Sequence, residues 1–165
     1  MARPYLPAET AMLTRIFGGS IDYGRVRIAK GAGANLVAIG AFQRRAPAIT
    51  LGRTIYYRDD FYREDFTANP ADAALLAHET THIWQYQTRL GETLGPPTVA
   101  LDTLKHGKDA YEVANLTADT DFNSLGYEQQ AEAVLEYATA MLGGHAANLA
   151  RYGAVLRSGG IPLPG

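Results

Sequence analysis

The chain has 165 residues, enough for one domain with its own core and too few for two of ordinary size. At 47% hydrophobic and 19% charged, with 15 basic and 17 acidic residues, it is not the composition of a disordered chain. Lys and Arg gather no further than Arg44-Arg45, so no nucleic acid and no anionic membrane is expected as a partner, and the lack of cysteine excludes disulfides, thiolate metal sites and a cysteine nucleophile.

The opening stretch, "MARPYLPAETAMLTRIFGG", has no continuous apolar run and carries Glu9 and Arg15, unlike a signal peptide. The expectation is a protein folded in the cytoplasm, with export by a route that needs no signal peptide left open. Residues 8 to 17 suit a short helix stopped by Gly18-Gly19. "YGRVRIAK" alternates, with Val26 and Ile28 on one side and Arg25 and Arg27 on the other, and reads as a half-buried strand. "KGAGANLVAIG" lacks the third glycine of a dinucleotide fingerprint and reads as a turn into another strand. The apolar stretch around it, "AGANLVAIGAF", is too short to span a bilayer.

"PAITLGRTIYYR" reads as two short strands joined near Leu51-Gly52. After a polar loop, Asn69-Pro70 is a good helix start, and the helix is expected to run to about Leu90 and end at Gly91. Residues 91 to 123 read mostly as loop with one short helix, a segment long enough to cover a site. "SLGYEQQAEAVLEYATAML" is helical, with Ser124 as its cap and Gly143-Gly144 as its break. "HAANLARYGAVLR" is the last helix, and "SGGIPLPG" is coil. Strands grouped ahead of helices predict an α+β domain with a small, mainly antiparallel sheet. No boundary divides the chain: one domain over residues 1–165, with its core at about 8–157 and a coil tail over 158–165.

The helix from Pro70 carries "LAHETTHIWQYQ". His78 and His82, four apart, stand on one face and can reach one ion. Zinc accepts neutral imidazole nitrogen and wants a third protein ligand in a catalytic site. Glu79 can then take the proton of a water that the metal acidifies. For the third ligand, His106 and His145 lack a supporting context. In "GYEQQAEAVLEYA", Glu128 and Glu132 share a helix face with no cation between them, and a bound cation would relieve their repulsion. One would bind zinc while the other accepts the free N–H of a liganding histidine. Glu136 continues the row, so the register Glu132 as ligand and Glu136 as partner stays open. Trp84 reads as a buried anchor; Gln85 either reaches a backbone group beside the site or faces solvent.

"HETTH" with a downstream "EQQAE" resembles the gluzincin branch of the zincin metallopeptidases. More narrowly, "AITLGRTIYYRDDFYREDFTANPADAALLAHETTHIWQYQ" is similar to the small metallopeptidase domains linked to extracellular contractile injection systems and to bacterial Vgr- and Rhs-related proteins. Gln85 completes their HExTHxxQ pattern, and the likeness extends over most of residues 10 to 140. It implies a compact zincin-like fold: a twisted sheet, an active-site helix and a glutamate helix. His78, His82 and Glu128 would hold Zn²⁺, Glu79 would be the general base, and Glu132 would orient a ligand histidine. The commoner residue at the place of Glu132 is Asp. An extended peptide would pair with the strand "RTIYY". Tyr111, Tyr127 and His106 remain open as the group stabilising the oxyanion.

Two functions are expected from this. The first is a zinc metallopeptidase acting on a peptide or protein substrate. The second is a non-catalytic accessory module of a secretion or toxin system, with a structural or vestigial zinc and a partner protein from that system.

Overall fold

The computed structural model describes residues 2–90 and 111–164, with the side chain of Leu90 excepted. Among these, a four-stranded sheet meets five α-helices, an α+β arrangement. In chain order the elements are β1 (Ala2–Arg3), α1 (Pro7–Phe17), β2 (Arg27–Lys30), α2 (Leu36–Gln43), β3 (Ala48–Leu51) and β4 (Thr54–Tyr57). They are followed by α3 (Pro70–Gln85), α4 (Tyr127–Gly143) and α5 (Ala146–Ser158). No described helix is long and apolar enough to cross a membrane.

The sheet order is β1-β2-β4-β3. β1 pairs with β2 and β3 with β4 antiparallel, while β2 and β4 run parallel. The expected strand pair at Leu51-Gly52 is a hairpin in which Gly52, at φ 61°, takes the first loop position, where a type II′ turn favours glycine. Register aligns Thr50, Ile55 and Ile28 in one row across the sheet, all buried. A threonine in a row of isoleucines is a polar group turned inward, and it has a partner on α3.

"KGAGANLVAIG" does not become a strand. Residues 36–43 form α2, because the Asn35 side chain accepts hydrogen bonds from the amides of Val37 and Ala38 and so caps a helix. A short apolar run reads equally as strand or buried helix, and this cap decides it. α2 joins β2 to β3, which run antiparallel, and the β3–β4 hairpin then turns the chain back so that β4 lies parallel to β2.

α3 starts as expected, with Asn69 accepting from the amide of Ala71 and Pro70 at the first helical position. It is α-helical to Gln85 and continues as a π turn over Tyr86–Leu90. The expected stop at Gly91 and the loop over 91–110 lie outside the described residues. α4 begins later than expected. Ser124 belongs to a short 3₁₀ turn, and the cap is Gly126, whose amide donates to the side chain of Gln129.

α3 packs along α4 and over β3, and α4 packs on α5. Leu13, Ile16, Phe17, Ile55, Leu76, Ile83, Val134 and Leu156 are all fully buried between them, each contributing roughly 1.5–3 kcal/mol. The core reaches beyond residues 8–157: Tyr5, Ile161 and Leu163 are buried members of it. Trp84 is the expected buried anchor, with Phe122 against it edge-on at 6.1 Å and the guanidinium of Arg89 over its ring.

Candidate metal centre

His78 and His82 stand one turn apart on α3, their ring centroids separated by 5.3 Å. Both are buried, as is Glu128 in the first turn of α4. Glu128 Oε2 lies 3.5 Å from His78 Nε2 and 3.4 Å from His82 Nε2. Around a tetrahedral ion with bonds of about 2.0–2.1 Å, neighbouring donors stand about 3.3–3.4 Å apart. The two observed separations match that edge, and the three residues offer ligand atoms all within 4.8 Å of one another. The residues present therefore fit a metal ion.

Electrostatics gives the same result. Burial pulls His78 down, but the carboxylates of Glu128 and Glu132 and the charge of Glu79 outweigh it and raise its pKa to about 10. His82 is raised too, burial being outweighed chiefly by Glu128. Burial pushes Glu128 up, yet the two histidines hold it far below the usual carboxylate range. The three shifts share one cause: positive charge on the imidazoles and negative charge on Glu128 stabilise each other, so the site favours a positive charge beside that carboxylate, as a divalent cation would supply.

The outer ring nitrogens are held as well. Gln85 is fully buried, and its amide nitrogen donates to the carbonyl of Tyr127 and to Gln130 Oε1, both at 3.0 Å. That fixes Gln85 Oε1 toward His82 Nδ1, 2.9 Å away. An oxygen there must accept, so Nδ1 carries hydrogen and the lone pair of a neutral His82 lies on Nε2, toward Glu128. Gln130 continues the chain by donating to the carbonyls of Phe122 and Leu125. On His78, Glu132 Oε2 lies 3.3 Å from Nδ1 without the alignment of a formed hydrogen bond.

Glu79 is buried, and its Oε2 accepts a 2.7 Å hydrogen bond from the Thr50 hydroxyl on β3. The two threonines of "HETTH" are occupied with the helix: Thr80 donates to the carbonyl of Leu76 and Thr81 to that of Ala77. His78, Glu79, His82, Glu128 and Glu132 all line a cleft of about 710 Å³, whose far wall is α2 and whose near edge is β3.

The structure separates the other candidates. His145 is exposed and caps α5, and His106 lies outside the described residues. Glu136 lines a neighbouring cavity with Arg151 and Tyr152 and is not among the residues lining the histidine cleft. Tyr127 meets the site through its carbonyl, and Tyr111 lines the cleft half-exposed. The strand "RTIYY" is β4, flanked by β2 and β3, so it offers no edge to a peptide; among the described residues β3 is the edge strand beside the site. Thr50 and Tyr86 escape the sequence reading. Tyr86 also lines the cleft, its phenol pushed up to about 12 by burial first and then by Glu128 and Glu79. Its signal was the spacing 78, 82, 86, which continues the histidine face by one more turn.

Among solved structures, the effector domain of Pseudomonas aeruginosa VgrG2b is similar, with a TM-score of 0.67 and 22% identity over 93% of this chain and 83% of that one. At that identity the likeness shows a shared fold. No curated protein matches. Residues 7–90 match the eCIS core domain, a span that includes His78, Glu79 and His82 and stops short of Glu128 and Glu132. On that match, covering half of its length, the chain belongs to the eCIS core domain family.

Proposed function

We propose that this protein is a zinc-dependent peptide hydrolase with a zincin-type fold, working as a component or cargo of a contractile injection system. The observation that carries the reading is the convergence of His78 Nε2, His82 Nε2 and Glu128 Oε2, with Glu79 beside them in an open cleft. Two imidazoles and one carboxylate are a donor set suited to zinc. A zinc ion held there supplies Lewis acidity at neutral pH.

The chain's own residues do the rest. β3, an edge strand among the described residues, offers its outer side to the backbone of an extended substrate. Glu79 takes a proton from the attacking water and returns it to the departing amine, and Thr50 keeps its carboxylate aimed. Gln85 holds His82 in the tautomer whose Nε2 is a donor atom. Tyr86, protonated at neutral pH, supplies a hydroxyl to the developing oxyanion. Membership of the eCIS core domain family and the fold shared with a VgrG2b effector domain support the assignment to an injection system, with export by that system.

The test is zinc content by elemental mass spectrometry, on protein purified without added metal, beside casein hydrolysis. Wild type should carry about one zinc per chain, Glu128→Ala little, and Glu79→Gln a full complement with no hydrolysis. A zinc-loaded wild type that cleaves casein no faster than Glu79→Gln would refute the hydrolase.

A further inference from the structure

One feature of the cleft has no role in the chemistry above: the arginine pair at its mouth. Arg44 and Arg45 are exposed, line the cleft, and have no carboxylate partner among the described residues. Of the carboxylates on the floor, Glu79 is engaged with Thr50 and Glu128 with the two histidines, and Glu132 lies 3.3 Å from His78 Nδ1.

The backbone adds a second observation. α2 ends in a Schellman motif, in which the amide of Ala46 donates to the carbonyl of Ala41 at 3.1 Å and that of Arg45 to Phe42 at 3.0 Å. Arg45 sits at its left-handed position, φ 69°, the one non-glycine residue with positive φ among the described residues. Glycine is the ordinary occupant there, and a side chain at that conformation is disfavoured. An unfavourable arginine beside a cleft points to use of the side chain rather than to packing.

The wall itself is apolar. α2 reads "LVAIGAFQ", yet its buried residues are only Ala38 and Ala41, while Leu36 and Val37 are 81% and 46% exposed. Val37 and Ala41 line the cleft together with the arginines.

We propose that Arg44 and Arg45 form a subsite that selects acidic side chains of a peptide laid along β3, with an apolar side chain of the same peptide against Val37. The inference rests on the cleft being a peptide site. Its geometry follows from the hairpin. The amide of Arg58 donates to the carbonyl of Pro47, which sets the phase of the β3–β4 ladder. The main-chain groups of Ala48 and Thr50 therefore face the open edge. Arg45 precedes Thr50 by five residues, and at about 3.3 Å per residue the acidic side chain lies about three to five residues from the one beside Glu79.

The experiment is fluorescence anisotropy on the zinc-supplemented Glu79→Gln protein at low salt. The probes are two fluorescein-labelled decapeptide pools of equal apolar content, one carrying glutamate and the other lysine. The glutamate pool should bind roughly three- to tenfold more tightly, in line with two exposed charge pairs, and added salt should erase the difference. Arg45→Gly should weaken glutamate-pool binding while the melting temperature holds or rises, because glycine suits that backbone. Arg44→Glu/Arg45→Glu should invert the preference. Equal binding of the pools, no binding of either, or a glutamate preference that survives the double substitution would overturn the subsite. A wild type that cleaves nothing while the glutamate preference holds would instead refute hydrolysis and leave the subsite standing.

Discussion

The Thr50 hydroxyl donates to Glu79 Oε2 at 2.7 Å, tying the sheet edge to the acid that stands between the two histidines. Position and orientation of Glu79 thus depend on β3 as well as on α3. Thr50→Val keeps the β-branched shape and removes the donor. A hydrogen bond to a charged group is worth roughly 1.5–3 kcal/mol, so kcat should fall about tenfold to a hundredfold. Zinc content and the melting temperature should stay near wild type. Unchanged kcat with zinc bound would mean that Glu79 is aimed by something else.

How this arrangement can be read from sequence depends on the range of each interaction. His78, Glu79 and His82 are visible because helix periodicity alone puts two imidazoles on one face. Glu128 and Glu132 are visible for the same reason, as like charges one turn apart. Thr50 is not, because its role depends on β3 passing beside α3, 29 residues away in sequence. Gln85 is half visible: the spacing puts it near His82, but its Tyr127 and Gln130 partners belong to another helix. α2 reads as a strand because an apolar run of that length has no decisive period, although Asn35 at its start carries the signal for a helix.

Gln85 offers the sharpest probe of the ligand geometry. Gln85→Leu removes the acceptor at His82 Nδ1 and frees the imidazole to take either tautomer. Loss of such a partner typically weakens metal affinity about 10–100-fold. Competition with a colorimetric zinc chelator measures this directly, with no substrate involved. An affinity equal to wild type would show that His82 is oriented without Gln85.

Tyr57 tests a different point. Its ring is fully buried against Phe66, and its hydroxyl has no hydrogen-bond partner among the described residues. Burial raises its pKa well above the ordinary phenol value, and the negative charge of Glu79 adds to that, so the group is neutral. A buried hydroxyl without a partner carries a desolvation cost of roughly 1–3 kcal/mol. Tyr57→Phe should therefore leave the melting temperature unchanged or raise it. A clear fall would reveal a partner for the hydroxyl, such as an internal water.

Glu9 is a buried charge without a signature in the local sequence pattern, and the fold hangs three elements on it. Its carboxylate is fully buried and takes a two-pronged ion pair from Arg3 on β1, both contacts at 2.8 Å. It also accepts from the amide of Leu6 at the start of α1 and from that of Phe66, 57 residues away. Glu9→Ala would strand a guanidinium that is itself largely covered and two amides, one of them deep in the core. Removing one partner of a buried pair costs about 3–5 kcal/mol; because Arg3 keeps some solvent, the lower end is expected. Urea denaturation should show a loss of about 3 kcal/mol with an unchanged slope. A loss below about 1 kcal/mol would mean that water replaces the carboxylate and that the N-terminal strand is held mainly by its sheet pairing.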